Sequence, residues 1–274
     1  AAVPQLSRFR IDVKENGVAE IVMNRAKKLN VMDDVFFEEI GPVFDFIESS
    51  PDVNVALLWA EGRLFTAGLD LKSMGSVMGS DDDELTQRTK LLAKLKLWQT
   101  NFNRARTITK PVIAAIHGKC IGGGIDMITS CDVRLATKDA SFSIKETEIG
   151  LVADLGTLQR IHRIVGSGIA REMAFTADFI DAQRALSSGF VNAVYDDQDA
   201  LLAAARAMAA RIAGLSPIVL QGTKIAMNFA EDHTVEDSLN QIALWNSAFL
   251  KSDDLVEAVT AFMQKRTPKF RNRL

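Results

Sequence analysis

The stretch Pro111-Val112-Ile113-Ala114-Ala115-Ile116-His117-Gly118-Lys119-Cys120-Ile121-Gly122-Gly123-Gly124-Ile125-Asp126 decides the fold. Its opening six residues are a short, nearly continuous apolar run, the pattern of a strand buried on both faces. Glycine-marked turns follow, and Ile125 to Ser130 then reads as helix. An earlier segment repeats this order. Val53 to Ala60, bounded by Pro51-Asp52 and Glu61-Gly62, is a second such strand, and the glycine-containing turn Phe65-Thr66-Ala67-Gly68-Leu69-Asp70 comes after it. A long helix is then marked by Leu91, Leu95, Trp98, Phe102 and Ala105 at helical spacing. Cys131 to Ala136 and Ser141 to Ile144 read as further short strands. Strands alternating with helices predict an α/β protein with stacked right-handed crossovers.

Toward the N-terminus, Phe9, Ile11 and Val13 alternate, break at Glu15-Asn16-Gly17 and resume through Val18 to Met23, which predicts a hairpin. Asp33 caps an amphipathic run with Phe36, Phe37, Ile40, Val43, Phe44 and Ile47 on one face, and Pro42 inside it is expected to kink or split the helix. Gly75 to Asp83, with three successive Asp residues, reads as a mobile surface insertion. From Leu158 onward most segments read as helix: Ala200 to Ala213, a helix opened by Ser216 and Pro217, Val235 to Leu250, and Asp253 to Lys265. The reading divides the chain into a core, 1–200, and a helical C-terminal region, 201–274.

The 274 residues are 47% hydrophobic, enough to bury a sizeable core. The 32 basic and 35 acidic residues are dispersed, so there is no electrostatic footprint for nucleic acid. Cys120 and Cys131 have no CxxC spacing, and a chain of this size needs no disulfide staples, which fits a reducing compartment. Arg206 and Arg211 interrupt the longest apolar candidate, Leu201 to Leu215, short of the ~20 residues that a membrane helix needs. Asn272-Arg273-Leu274 is similar to the Ser-Lys-Leu peroxisomal address except at its Asn.

Gly122 to Gly124 does not have the GxGxxG spacing of a dinucleotide fingerprint, and no Walker lysine pattern opens a helix elsewhere. The run can simply permit a tight turn. Alternatively it leaves a backbone N–H unpaired, and the turn at Phe65 to Asp70 supplies a second. One carbonyl oxygen receiving both would gain about 3 kcal/mol per donor as it becomes an enolate. Three carboxylates lie nearby in apolar company: Asp126, Glu146 and Asp154, the last two bracketing Ile149-Gly150-Leu151-Val152-Ala153. Burying an ionised carboxylate costs several kcal/mol. Each therefore either caps a helix, or pairs with a neighbour such as Lys145, Arg134 or Arg160, or does chemistry. The three histidines, His117, His162 and His233, lack ligand spacing and read as structural or surface residues, and there is no GxSxG elbow.

From about Phe9 to Phe270 the chain resembles the crotonase, or enoyl-CoA hydratase/isomerase, superfamily. The likeness is carried by Asn24-Arg25-Ala26-Lys27-Lys28-Leu29-Asn30, Phe65-Thr66-Ala67-Gly68-Leu69-Asp70-Leu71 and Lys119-Cys120-Ile121-Gly122-Gly123-Gly124. It implies a spiral of repeated ββα units with a helical C-terminal trimerisation region, a trimer or dimer of trimers, and an acyl-CoA ligand. It also implies that the N–H groups of Leu69 and Gly123 form the oxyanion hole. Ala67, Gly68, Leu69, Asp70, Leu71 and Gly123 would line the substrate site. Lys27, Lys72 and the Phe262 to Arg266 helix would lie near the nucleotide. No metal or other cofactor is implied, because hydrogen bonds alone hold the enolate.

A hydratase of this fold typically has Glu at 126 and 146 and Gly at 154. Asp126, Glu146 and Asp154, with Lys145-Glu146 and Leu155-Gly156-Thr157-Leu158-Gln159-Arg160 around them, are instead similar to the dienoyl-CoA isomerase branch. That branch implies fatty acid β-oxidation in a mitochondrial or peroxisomal organelle. Conversion of a 3,5-diene to a 2,4-diene takes a proton from C2 and delivers one at C6, which needs an ionised base and a neutral acid. The reading assigns Asp154 as base, Glu146 as acid and Asp126 as a tuning group; the reverse assignment stays open. Rival readings are an enoyl-CoA hydratase, a non-catalytic RNA-binding protein of this fold, against which the net charge of −3 argues, and a silent oligomerisation partner.

Overall fold

The computed structural model describes residues 3–72 and 82–270. Most of the Gly75 to Asp83 segment and the Asn272-Arg273-Leu274 tail lie outside the described residues.

Strands β1 (Phe9–Val13) and β2 (Val18–Met23) form the expected antiparallel hairpin, with Phe9 opposite Met23. Gly17, at φ 82°, supplies the positive φ its turn requires. Helix α1 (Asp34–Ser49) opens where the Asp33 carboxylate accepts the Phe36 N–H at 3.1 Å. The predicted apolar face, including Phe36, Ile40, Phe44 and Ile47, is buried. The break expected at Pro42 does not occur: the helix runs through it. Pro42 and Glu38, four residues earlier, are both exposed, so the carbonyl that loses its partner faces water.

Strand β3 (Val55–Ala60) leads by way of the first glycine turn to α2 (Glu84–Thr107). Only the C-terminal half of α2 enters the core, through Trp98, Phe102 and Ala105; Leu91, predicted on the buried stripe, is 38% exposed. Strands β4 (Val112–Ile116) and β5 (Lys119–Ile121) precede α3 (Gly123–Thr129), and β6 (Val133–Thr137) and β7 (Ser141–Ser143) precede α4 (Thr157–Val165). Helix α5 (Ser167–Thr176) is then followed by β8 (Ile180–Asp181), α6 (Ala182–Ser187) and β9 (Ala193–Tyr195). No strand is expected here from the sequence, because two or three residues are too few to show a period. Helices α7 (Gln198–Ala213), α8 (Pro217–Ala230), α9 (Val235–Phe249) and α10 (Asp253–Met263) close the described chain.

Among the described residues one sheet runs β1-β2-β3-β4-β6-β9, parallel after the hairpin, and a smaller one runs β5-β7-β8. Each unit β4-β5-α3 and β6-β7-α4 steps from the large sheet to the small one and then into a helix. An isolated bridge between Thr66 and Cys120 gives β3 the same step. This is the ββα spiral. Both faces of the large sheet are covered, which is why its strands read as unbroken apolar runs. One face meets α1 and α2. The other receives Leu201, Ala205 and Ala209 of α7, packed on Val55, Leu57, Ile113 and Leu135. No single helix among the described residues is long and apolar enough to cross a membrane.

Candidate active site

The Thr66–Cys120 bridge sets the two glycine turns side by side. The Thr66 N–H donates to the Lys119 carbonyl at 3.1 Å, and the Ile121 N–H donates to the Thr66 carbonyl at 3.2 Å. In the first turn the Gly68 N–H donates to Thr66 Oγ1 at 3.0 Å, and the Met32 N–H donates to the Gly68 carbonyl at 2.9 Å. Gly68 has φ +82°, and a Cβ there would come within 2.8 Å of the Ile121 carbonyl oxygen. In the second turn Gly122 has φ +55° and donates to the Ser143 carbonyl at 3.0 Å. A Cβ on Gly124 would lie 2.4 Å from Thr66 Cγ2 and 2.8 Å from Cys120 Sγ. The glycine run thus serves both a left-handed turn and close packing.

Among the described residues no group accepts the N–H of Leu69 or that of Gly123, the first residue of α3. Both residues border one cavity of about 210 Å³, as do Ala67, Gly68, Leu71 and Glu146. Two free N–H groups on one small cavity make a receptor for a carbonyl oxygen that gains negative charge.

Glu146 follows β7 and precedes a single 3₁₀ turn, Thr147–Ile149. Its Oε2 is buried with no hydrogen-bond partner. Burial first, then the charges of Asp126 and Asp154, push its carboxyl up from 4.5 to about 7. Asp126, in the first turn of α3, is 1% exposed and accepts the Thr157 N–H at 2.7 Å. Burial lifts it to about 6, against the pull of Thr157 and the nearby Arg160 guanidinium. Asp154 sits in the loop before α4, exposed at the surface; partial burial still raises its carboxyl. Its backbone carbonyl accepts Gln99 Nε2 of α2 at 2.8 Å.

Glu146 faces the donor cavity, whereas Asp154 borders a separate polar cleft of about 490 Å³ that also involves Gln99, Asn103, Gln159 and Arg160. Asp126 lines neither, but it lies close enough for its charge to act on Glu146 and for that of Asp154 to act on it. The ion pairs that would explain the carboxylates structurally are mostly absent among the described residues. Lys145 pairs with Glu148, and Arg134 donates to the carbonyls of Phe190 and Cys131. Arg160 alone approaches, through the backbone carbonyl of Asp126 at 2.7 Å.

The remaining predicted residues fall outside the cavity lining. Asp70 receives the Arg25 guanidinium at 3.5 Å and the Lys72 N–H at 3.2 Å. Lys27 and Lys72 are exposed. Phe262 is 85% exposed, and Arg266 pairs with Glu257. His117 is structural, its Nε2 2.8 Å from the Gly62 carbonyl. Sequence reasoning takes Lys145 only as an ion-pair partner and Ile149 and Leu151 only as apolar company, whereas all three line the cavity, and it does not foresee the roles of Thr157 and Gln99. Two further clefts hold neither free N–H donor: one of about 470 Å³ among the C-terminal helices, and one of about 480 Å³ between α8 and the core residues Arg106, Cys131, Arg134 and Arg160.

The family model for enoyl-CoA hydratase/isomerase matches residues 13–273. The mitochondrial Δ3,5-Δ2,4-dienoyl-CoA isomerase of Dictyostelium discoideum is 47% identical over 93% of this chain and 87% of its own length. The peroxisomal enzyme of that name from Arabidopsis thaliana is 40% identical over 93% of each. Among solved structures, the enoyl-CoA hydratase of Bacillus anthracis superposes with a TM-score of 0.88 at 27% identity, covering 97% of this chain and 100% of its own.

Proposed function

We infer, from the enoyl-CoA hydratase/isomerase family to which this chain belongs, that the protein is a Δ3,5-Δ2,4-dienoyl-CoA isomerase. It converts 3-trans,5-cis-dienoyl-CoA to the 2-trans,4-trans isomer in the β-oxidation of unsaturated fatty acids. The observation that carries this reading is a carboxyl held near 7, Glu146, on the cavity of the two unpaired N–H donors, with a second, more open carboxyl, Asp154, on the adjoining cleft. The hydratase is the more distant likeness in sequence. It would need Asp126 to activate water, yet Asp126 is 1% exposed and already bonded to the Thr157 N–H.

In the proposed mechanism the thioester carbonyl sits between the N–H groups of Leu69 and Gly123, with Ala67, Gly68 and Leu71 around it. Asp154, the more hydrated carboxylate, takes a proton from C2. The C–H electron pair spreads through the enolate to C6, where Glu146, held near 7 and so substantially protonated at neutral pH, delivers its proton. The double bonds now lie at C2 and C4. Asp154 is left protonated and Glu146 ionised, and one proton returns from the first to the second, by way of solvent, to restore the enzyme. Asp126 tunes the pair by its charge. No electron leaves or enters the substrate, so the chemistry asks for no redox cofactor, and in this reading the two N–H donors hold the enolate without a metal. Lys27, Lys72 and Asp70 border the outer, nucleotide side in this reading.

Self-association as a trimer or dimer of trimers is supported by the apolar side chains that α9 and α10 expose, among them Leu239, Leu244, Val256, Phe262 and Met263. The relatives' names support a mitochondrial or peroxisomal-type compartment. The test is an ultraviolet assay with a 3,5-dienoyl-CoA, run beside hydration of a 2-enoyl-CoA. Growth of the conjugated 2,4-dienoyl chromophore is expected; hydration without isomerisation would replace this reading with a hydratase. Light scattering on the purified chain checks the oligomer.

A further inference from the structure

Arg160, in the first turn of α4, is the point where three elements meet. Its Nη2 donates to the backbone carbonyls of Asp126, at 2.7 Å, and Leu155, at 3.3 Å. Its Nε donates to Thr129 Oγ1 of α3 and its Nη1 to Asn103 Oδ1 of α2, both at 3.3 Å. A Cβ on Gly156 would stand 2.1 Å from Nη1, so a glycine is what lets the guanidinium lie on this loop. The next residue, Thr157, donates its N–H to the Asp126 carboxylate, and Gln99 of α2 donates to the Asp154 carbonyl. Among the described residues Arg160 donates to no carboxylate oxygen of Asp126 or Asp154.

We propose that Arg160 is the positioning residue of this site: by tying the loop 154–157 to α3 and α2, it fixes Asp154 relative to Asp126 and to the cavity that holds Glu146. The inference rests on the reading that these carboxylates move the protons. A planar guanidinium can reach acceptors in several directions at once; an ammonium on a flexible stem cannot span them. Displacement of a reacting group by about 1 Å costs on the order of a hundredfold in rate, so the arrangement bears on turnover and not on binding alone.

Its charge acts as well. The groups that face Asp126 are Thr157, Arg160, Glu146, Asp154 and the Cys120 thiol, and those that face Arg160 are Asp126, Glu231, Arg106 and the Cys131 thiol. Arg160 is therefore the nearby positive charge that favours the ionised Asp126. Its removal raises that carboxyl further.

The experiment measures kcat and KM for a 3,5-dienoyl-CoA across pH in the intact protein and in Arg160→Lys and Arg160→Gln, with binding of hexanoyl-CoA as a control. In both variants kcat is expected to fall about ten- to a hundredfold, while KM and hexanoyl-CoA affinity change less than about threefold. In Arg160→Gln the acid limb of the kcat profile moves to higher pH; in Arg160→Lys, which keeps the charge, it stays. Asn103→Ala removes one acceptor of the guanidinium and is expected to show the same kcat-selective loss at smaller size, even should Arg160→Gln not fold. Wild-type kcat and an unmoved profile in the folded variants would overturn the proposal, as would a loss confined to KM. Absence of isomerisation in the unaltered protein would instead overturn the functional reading itself.

Discussion

Replacing Glu146 by Gln should stabilise the protein in alkaline solution while abolishing its chemistry. In the folded chain the Glu146 carboxyl stands at about 7, against an ordinary 4.5, because burial and the neighbouring Asp126 and Asp154 disfavour its charge. A raised carboxyl means that the folded state holds its proton more tightly than the unfolded state. Folding is then penalised as pH rises through 4.5, and the penalty levels off above 7. At about 1.4 kcal/mol for each pH unit, it reaches about 3 kcal/mol when fully developed, and between pH 5 and pH 8.5 it grows by about 2.5 kcal/mol. Glu146 is only partly buried, so solvent screening takes part of this and leaves about 2 kcal/mol. Gln has nearly the same shape and does not titrate. Any constant cost of its amide cancels when the stability difference between variant and wild type is compared at the two pH values. The assay is thermal unfolding of both proteins at one fixed concentration, since self-association makes the midpoint depend on concentration. The variant should gain on the wild type by about 2 kcal/mol from pH 5 to pH 8.5. A difference that stays constant with pH would refute the electrostatic account of Glu146, and with it the neutral acid on which the mechanism depends.

Asp154→Asn should lower kcat for diene isomerisation by at least about a hundredfold, with binding of a saturated acyl-CoA little changed; steady-state kinetics beside a binding titration check this, and unchanged turnover rejects Asp154 as base. Gly124→Ala forces a methyl group against Thr66 and Cys120 and should cost about 1–3 kcal/mol in thermal unfolding, with slower turnover as the two donor turns are pushed apart. Lys224→Met removes the buried ammonium that donates to the carbonyls of Ala105 and Lys110 and to Asp132 Oδ2, between 2.7 and 2.9 Å. It should destabilise by about 3–5 kcal/mol in denaturant titration, part of which a second change, Asp132→Asn, recovers.

The parts of the fold that depend on local pattern were legible. The hairpin around Gly17, the capped face of α1 and the strand–turn–helix at Gly122 all follow from period and turn chemistry within a dozen residues. The two-residue β8 was not, because so short a strand is created by pairing with β7 and not by its own composition. Pro42 misled for a related reason: its cost depends on whether the orphaned carbonyl meets water, which only the packed helix decides. At the site, the three carboxylates could be named from apolar company and family likeness. What holds them could not. Thr157 lies 31 positions from Asp126 and Gln99 lies 55 from Asp154, and no spacing rule links such pairs.

The two N–H donors owe their places to the Thr66–Cys120 bridge and to backbone hydrogen bonds, with no side chain of their own residues taking part. The electrophile-activating frame and the proton-moving groups are therefore separable inheritances. Substitution at 126, 146 or 154 rewrites which bond is made or broken while the thioester is still gripped in the same way. A scaffold built so exposes its chemistry, and not its architecture, to evolutionary change.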